Sequence, residues 1–143
     1  MEKLLTKEIA YLDHLMSEYI SKDYDFKRMF NMTQFHIMMY LIKHSDDDIC
    51  QKDLEIEANL KKASITGVID SLARKGFVER VQAEDDKRKN YIRMTKKSLD
   101  LKSMIEKNVT ELNDFMTKGI SKKELDNFFS VIERIKNNIE ERK

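Results

Sequence analysis

The chain has 143 residues, 41% hydrophobic and 37% charged, enough for one core-bearing domain with a heavily solvated surface. No apolar run reaches the roughly 18 residues of a membrane span, and the acidic, amphipathic N-terminus has no signal-peptide cleavage pattern. A single cysteine excludes an internal disulfide and, with the other features, leads to an expectation of a cytoplasmic protein.

Net charge is only +1, but it is unevenly spread. Residues 1–60 carry a net of −5, residues 61–93 a net of +4 and residues 94–143 a net of +2. A phosphate-facing surface would sit in the middle third, although a solvated charged face explains the same numbers.

With no Pro and three Gly, the sequence predicts long helices. The first runs from about Glu2 to Ser21, with Leu5, Ile9, Leu12, Met16, Tyr19 and Ile20 recurring at steps of three and four. A polar stretch, Ser21 to Asn31, follows. Thr33 is the expected N-cap of a second helix whose apolar side holds Phe35, Met38, Met39 and Ile42. The acidic loop Ser45–Asp48 ends it.

Gln51–Ala58 reads as a short helix with Leu54 and Ala58 inward, and Asn59 suits a left-handed turn. Ala63–Lys75 reads as the next helix, buried along Ile65, Val68, Ile69 and Leu72. Lys75-Gly76 is its stop, a cation in the last turn followed by a residue that tolerates positive φ. Phe77–Val81 and Tyr91–Met94 read as strands flanking the polar turn Gln82–Asn90. Two helices followed by a hairpin make a winged helix-turn-helix. A helix over Lys96–Lys118 follows, with Leu101, Ile105, Val109, Leu112 and Met116 inward, and Gly119 stops it. Ser121–Glu124 is a capping box opening a last helix with Leu125, Phe128, Phe129, Ile132, Ile135 and Ile139.

The expected fold is therefore mainly α with a small β-hairpin, a single domain over 1–143. Residues 32–95 form the winged helix-turn-helix, and residues 1–31 and 96–143 form dimerisation helices. The winged unit needs only about half the chain, so the terminal apolar stripes call for another partner, and a two-fold dimer supplies it. Such a dimer would set two recognition helices at a fixed spacing for half-sites about 34 Å apart.

A recognition helix offers its N-terminal residues to base edges, here Lys61, Lys62, Ser64, Thr66 and Gly67. Gly67 costs about 1 kcal/mol in helix propensity, which suggests a close approach by DNA, by the preceding helix or by core. Ser71, Arg74 and Lys75 are better placed for phosphates. At the hairpin tip, Asp85-Asp86-Lys87-Arg88-Lys89-Asn90 carries three consecutive cations. Arg88 suits a minor groove, and Asp86 could brace it by a charge-assisted bond.

The run QKDLEIEANLKKASITGVIDSLARKGFVERVQAEDDKRKNYIRMT resembles the MarR family of bacterial transcriptional regulators. The resemblance rests on the Leu54/Ala58 helix, on Ser64-Ile65-Thr66 and Ile69-Asp70-Ser71-Leu72, on Lys75-Gly76-Phe77-Val78-Glu79-Arg80, and on Asp86-Lys87-Arg88. It implies a homodimer that binds a palindromic double-stranded DNA operator, with recognition helices in major grooves and Arg88 in flanking minor grooves. It also implies a repressor role and, in many relatives, release by a small lipophilic or phenolic effector. Two positions depart from the pattern: Thr95-Lys96-Lys97-Ser98 ends in Ser rather than Gly, and Cys50 stands where the family often has Ser or Thr. Cys50 would weaken the cap while placing a thiol at a helix N-terminus.

Tyr11, His14, Leu15, Phe35 and Met39 are candidate walls of an effector pocket, or simply core and interface residues. His14, His36 and His44 form no metal constellation by spacing, and no metal or cofactor is implied. With no Gly-rich phosphate loop and no nucleophile beside a base, an enzyme is not expected. The remaining alternatives are a winged module for protein contacts and a redox-responsive regulator using Cys50.

Overall fold

The computed structural model describes residues 2–21 and 29–142; residues 22–28 of the expected polar stretch lie outside them. Helices are α1 (Leu5–Ser21), α2 (Met32–Lys43), α3 (Gln51–Ala58), α4 (Lys62–Arg74), α5 (Lys96–Met116) and α6 (Lys122–Glu140), with strands β1 (Val78–Gln82) and β2 (Asn90–Met94) between α4 and α5. The expected elements are all present, with ends shifted by a few residues. The chain divides into two compact units, Met1–Lys102 and Ser103–Lys143.

In the first unit, α2, α3, α4 and the hairpin share one core. Ile37, Met38 and Leu41 of α2, Leu54 of α3 and Ile65, Ile69 and Leu72 of α4 are buried with Phe77, Val78 and Ile92. The buried arc of α2 is wider than the expected stripe. Ile37 and Leu41 join it while Met39 is only half-buried, because α3, α4 and β2 all pack on this helix. Phe77 stacks on Phe30 with ring centroids 4.8 Å apart, so the residue just before β1 closes the core.

The cap of α2 corrects the sequence reading. Asn31, not Thr33, is the N-cap: its side chain accepts from Gln34 N at 2.8 Å and Gln34 Oε1 accepts from Asn31 N at 3.1 Å. A capping box pairs residues three apart. Asn31 has Gln34 at that distance, whereas Thr33 has His36, which does not close a box.

The strands pair antiparallel from Val78↔Met94 to Gln82↔Asn90. A third short segment joins the far side of β2, with an isolated bridge between Cys50 and Tyr91 and a hydrogen bond from Ile92 N to Ile49 O at 2.7 Å. The chain entering α3 is thus pinned to the wing.

Both terminal helices leave apolar residues exposed. On α1, Leu5, Ile9, Leu12, Leu15 and Tyr19 are exposed; no residue of α6 is buried, and Phe128 and Phe129 remain 50% and 56% exposed. Gly119 has φ +80° and Ser121 closes the expected capping box with Glu124, donating Oγ to Oε1 at 2.9 Å and accepting from Glu124 N at 3.1 Å. Along α5, Ile105 is buried and Leu101, Val109 and Leu112 are half-buried, but Met116 is 37% exposed rather than inward.

Candidate nucleic-acid interface

The turn between α3 and α4 begins with Asn59 at φ 51°, ψ 47°. A short polar side chain tolerates this left-handed conformation, and Leu60 N then donates back to Glu55 O at 3.1 Å. The chain leaves extended through Lys61, the N-cap of α4, which makes no side-chain cap bond. The first-turn amides of α4 are therefore open, no acidic residue stands in that turn, and Lys61, Lys62 and Ser64 are exposed around it. Open amides, a positive helix end and two lysines together favour an anion.

Thr66 sits differently. Its hydroxyl donates to Lys62 O at 2.8 Å and accepts from Gln51 Nε2 at 2.8 Å, so it ties α4 to the start of α3. Gly67 is exposed, and a Cβ built there meets nothing within 4 Å. Packing against the preceding helix or the core, one of the reasons anticipated for this glycine, is absent.

Sequence reasoning missed the brace between α4 and the wing. Arg80 Nη1 on β1 pairs with Asp70 Oδ1 at 2.7 Å, and Arg80 Nη2 lies 3.4 Å from Thr66 O. Both residues stood within the family-like motifs, yet many helix and strand positions offer charges, and only the fold shows which two meet.

At the other end of α4, Arg74 is exposed. Ser71 Oγ instead accepts from Gln34 Nε2 at 2.8 Å, and Lys75 Nζ donates to Gln34 Oε1 at 2.9 Å and to Met29 O at 3.1 Å. Beyond the helix, Gly76 has φ +84°. Lys97 Nζ donates to Lys75 O at 2.8 Å and lies 4.6 Å from the centre of the Phe77 ring. Ser98, fully buried, donates its hydroxyl proton to Phe77 O at 2.7 Å, with Thr95 O also near the hydroxyl at 3.0 Å. The serine that departs from the family pattern thus fastens the start of α5 to the residue just before β1.

At the tip of the wing, Asp86 and Arg88 are in contact. Asp86 Oδ1 accepts from Arg88 N at 3.0 Å and from Arg88 Nε at 3.3 Å, while the Arg88 side chain is 92% exposed. The guanidinium keeps its two terminal nitrogens outward. Gln82 Nε2 holds the loop through Lys87 O at 2.7 Å, and Lys89 Nζ lies 5.4 Å from the centre of the Tyr91 ring. Lys87 and Lys89 are exposed beside Arg88.

The remaining expected residues are more scattered. Tyr11, His14 and Leu15 are exposed on α1, with His14 Nε2 3.6 Å from Glu18, whereas Phe35 is in the core and Met39 half-buried. The five are split between an open helix face and a closed core. Cys50 is half-buried as N-cap of α3; its amide and its thiol both donate to Asp53 Oδ2, at 2.9 and 3.2 Å. The weakened cap is thus supported from the third helical position. Nearby, burial pushes the Tyr40 phenol above its ordinary 10.0, with Asp53, Glu57, Asp47 and Cys50 adding to the shift.

Residues 30–89 match the MarR family profile. The HTH-type transcriptional repressor YetL of Bacillus subtilis (strain 168) is 36% identical over 84 residues, covering 59% of this chain and 47% of YetL. The chain thus aligns with about half the length of that relative. Among solved structures, S. aureus MepR in its DNA complex superposes with a TM-score of 0.84 at 17% identity, over 96% of this chain and 99% of that one. The haem sensor PefR of Streptococcus agalactiae, solved with haem, gives 0.67 at 27% identity over 96% and 95%.

Proposed function

We propose that this chain is a MarR-family regulator, the family whose profile its residues 30–89 match, and that it binds DNA sequence-specifically as a homodimer on a palindromic operator. One observation carries the reading. The first unit presents an open, cation-flanked helix N-terminus on α4 and, on the wing, an arginine whose root is held by Asp86 while its head is free. The first suits base edges and phosphates of a major groove, the second a narrow minor groove. Lys61, Lys62 and Ser64 face bases, the Gly67 backbone lies close to them, and Lys87, Arg88 and Lys89 take the flanking groove with Arg74 on phosphate. Thr66 and Ser71 serve the same surface by holding α4 in place.

Residues 1–31 and 96–143 supply the dimer interface. The exposed apolar residues of α1 and α6 support this, since large apolar faces mark interaction sites. Repression is the mode of the relative YetL, and we assign the same sign here, in the cytoplasm. Among the described residues no helix is long and apolar enough to cross a membrane. A small lipophilic or phenolic effector would release DNA from a site drawing on Tyr11, His14, Leu15, Phe35 and Met39. That PefR senses haem supports a ligand response within this fold.

Fluorescence anisotropy on an operator taken from the chain's own promoter region tests the reading. Specific affinity that falls steeply with salt supports it, because released counterions drive phosphate contacts. Equal affinity for operator and random duplex, or binding indifferent to salt, contradicts it and favours a winged module for protein contacts.

A further inference from the structure

The C-terminal half of α4 carries a polar arrangement that DNA contact does not explain. Gln34 is 4% exposed, and both polar atoms of its amide make hydrogen bonds. Nε2 donates to Ser71 Oγ, and Oε1 accepts from Asn31 N and from Lys75 Nζ. Lys75 Nζ adds a bond to Met29 O. One buried side chain therefore caps α2 and grips the recognition helix at two positions one turn apart.

We propose that Gln34 and Lys75 are positioning residues, a pin that sets the recognition helix against the N-terminus of α2, and that Lys75 makes no phosphate contact. The inference rests on the DNA-binding reading for its consequence, but the pin itself is intramolecular. A bond between a charged donor and a buried acceptor is stronger than a neutral one. Its anchor on α2 is fixed by the capping box, so the force it exerts falls on α4. The ammonium spends two of its three donors on Gln34 Oε1 and Met29 O. Giving a phosphate more than its one remaining donor would strand the Gln34 oxygen with only the Asn31 amide or release the Met29 carbonyl. From the opposite side, Lys97 Nζ holds the Lys75 carbonyl, so the end of α4 is gripped by the chain both before and after the winged unit. Movement of the α2 start is thereby passed to the helix that reads bases.

Phosphate contact and positioning leave different signatures. Neutralising a phosphate-bound lysine lowers specific and non-specific affinity alike and reduces the slope of log K against log salt by about 0.9. Removing a pin lowers the specific affinity alone and leaves the slope unchanged. The test is Lys75→Met, which keeps the aliphatic stem, measured on the full-length protein with operator and with random duplex over a salt series. The expected result is a roughly tenfold loss of operator affinity, the size of a lost charge-assisted bond, with random-duplex affinity and slope unchanged. Hydrogen exchange without DNA provides a second readout: the amides of Lys75, Gly76 and Phe77, which close the end of α4, exchange faster in the variant. Gln34→Met in the Lys75→Met background should add less than it does alone, since both break the same bond.

A slope lowered by about 0.9 with parallel loss on both DNAs overturns the pin and makes Lys75 a phosphate ligand. Unchanged affinity with unchanged exchange overturns it as well. Failure of the wild-type protein to prefer any operator is a different failure: it overturns the DNA reading, while the exchange measurement still decides whether the pin exists.

Discussion

Gly67→Ala separates folding from DNA contact at a single atom. Gly67 stands in the middle of α4 with no positive φ, and an added Cβ meets nothing within 4 Å. The methyl group therefore encounters no steric cost in the free protein, while the helix gains the propensity difference between Ala and Gly, about 1 kcal/mol, partly by restricting the unfolded chain. For a chain of this length that corresponds to a rise in Tm of about 3 °C, read at fixed protein concentration because a dimer's Tm depends on it. In the complex the same methyl enters the space through which we place the α4 backbone close to the bases. Operator affinity should then fall by about tenfold, equivalent to about 1.4 kcal/mol. Thermal unfolding and anisotropy on one preparation supply both readings. A variant that is no more stable would refute the claim that α4 is unobstructed at this position. A more stable variant with undiminished operator affinity would remove Gly67 from the interface.

Three further outcomes follow from the same geometry. Arg88→Ala leaves the fold intact, because its side chain is almost wholly exposed, and weakens operator binding while lowering the salt slope by about 0.9; equal mobility-shift titrations would deny the wing its role. Leu54→Ala empties a site with no solvent exposure and should cost about 2–5 kcal/mol in urea unfolding, where a loss under about 1 kcal/mol would show the core to be loosely packed. A double-mutant cycle on Asp70→Ala and Arg80→Ala should give a coupling below about 1 kcal/mol in stability, as both side chains are partly solvated, but a distinct loss of operator affinity; strict additivity in both assays would mean that the brace does not hold α4 to the wing.

Local rules made most of the fold legible. Asn59, Gly76 and Gly119 announced their turns because only backbone conformation is at stake there, and all three have positive φ. The strands and helices followed from apolar spacing. The Asp86–Arg88 contact was also readable, being a two-residue relation. Long-range pairing was not. Nothing in the sequence says that Gln34 meets Ser71 and Lys75 some forty residues on, or that Asp70 meets Arg80. Spacing places Thr66, Ser71 and Lys75 on the DNA-facing side of α4 but does not reveal that each also makes a hydrogen bond within the protein. The cap of α2 was misplaced for a related reason: Thr is a good cap residue, but the reciprocal partner three positions later decides the choice.

Selection from a random duplex pool by the purified protein, followed by sequencing, addresses the central claim most directly, because the protein itself picks out its operator from the pool. The two-fold regulator should enrich a palindrome whose half-sites lie about one helical turn, roughly 34 Å, apart, and the Arg88→Ala variant should lose the preference flanking each half-site. A pool that emerges with no motif, or with a single asymmetric half-site, would contradict the account.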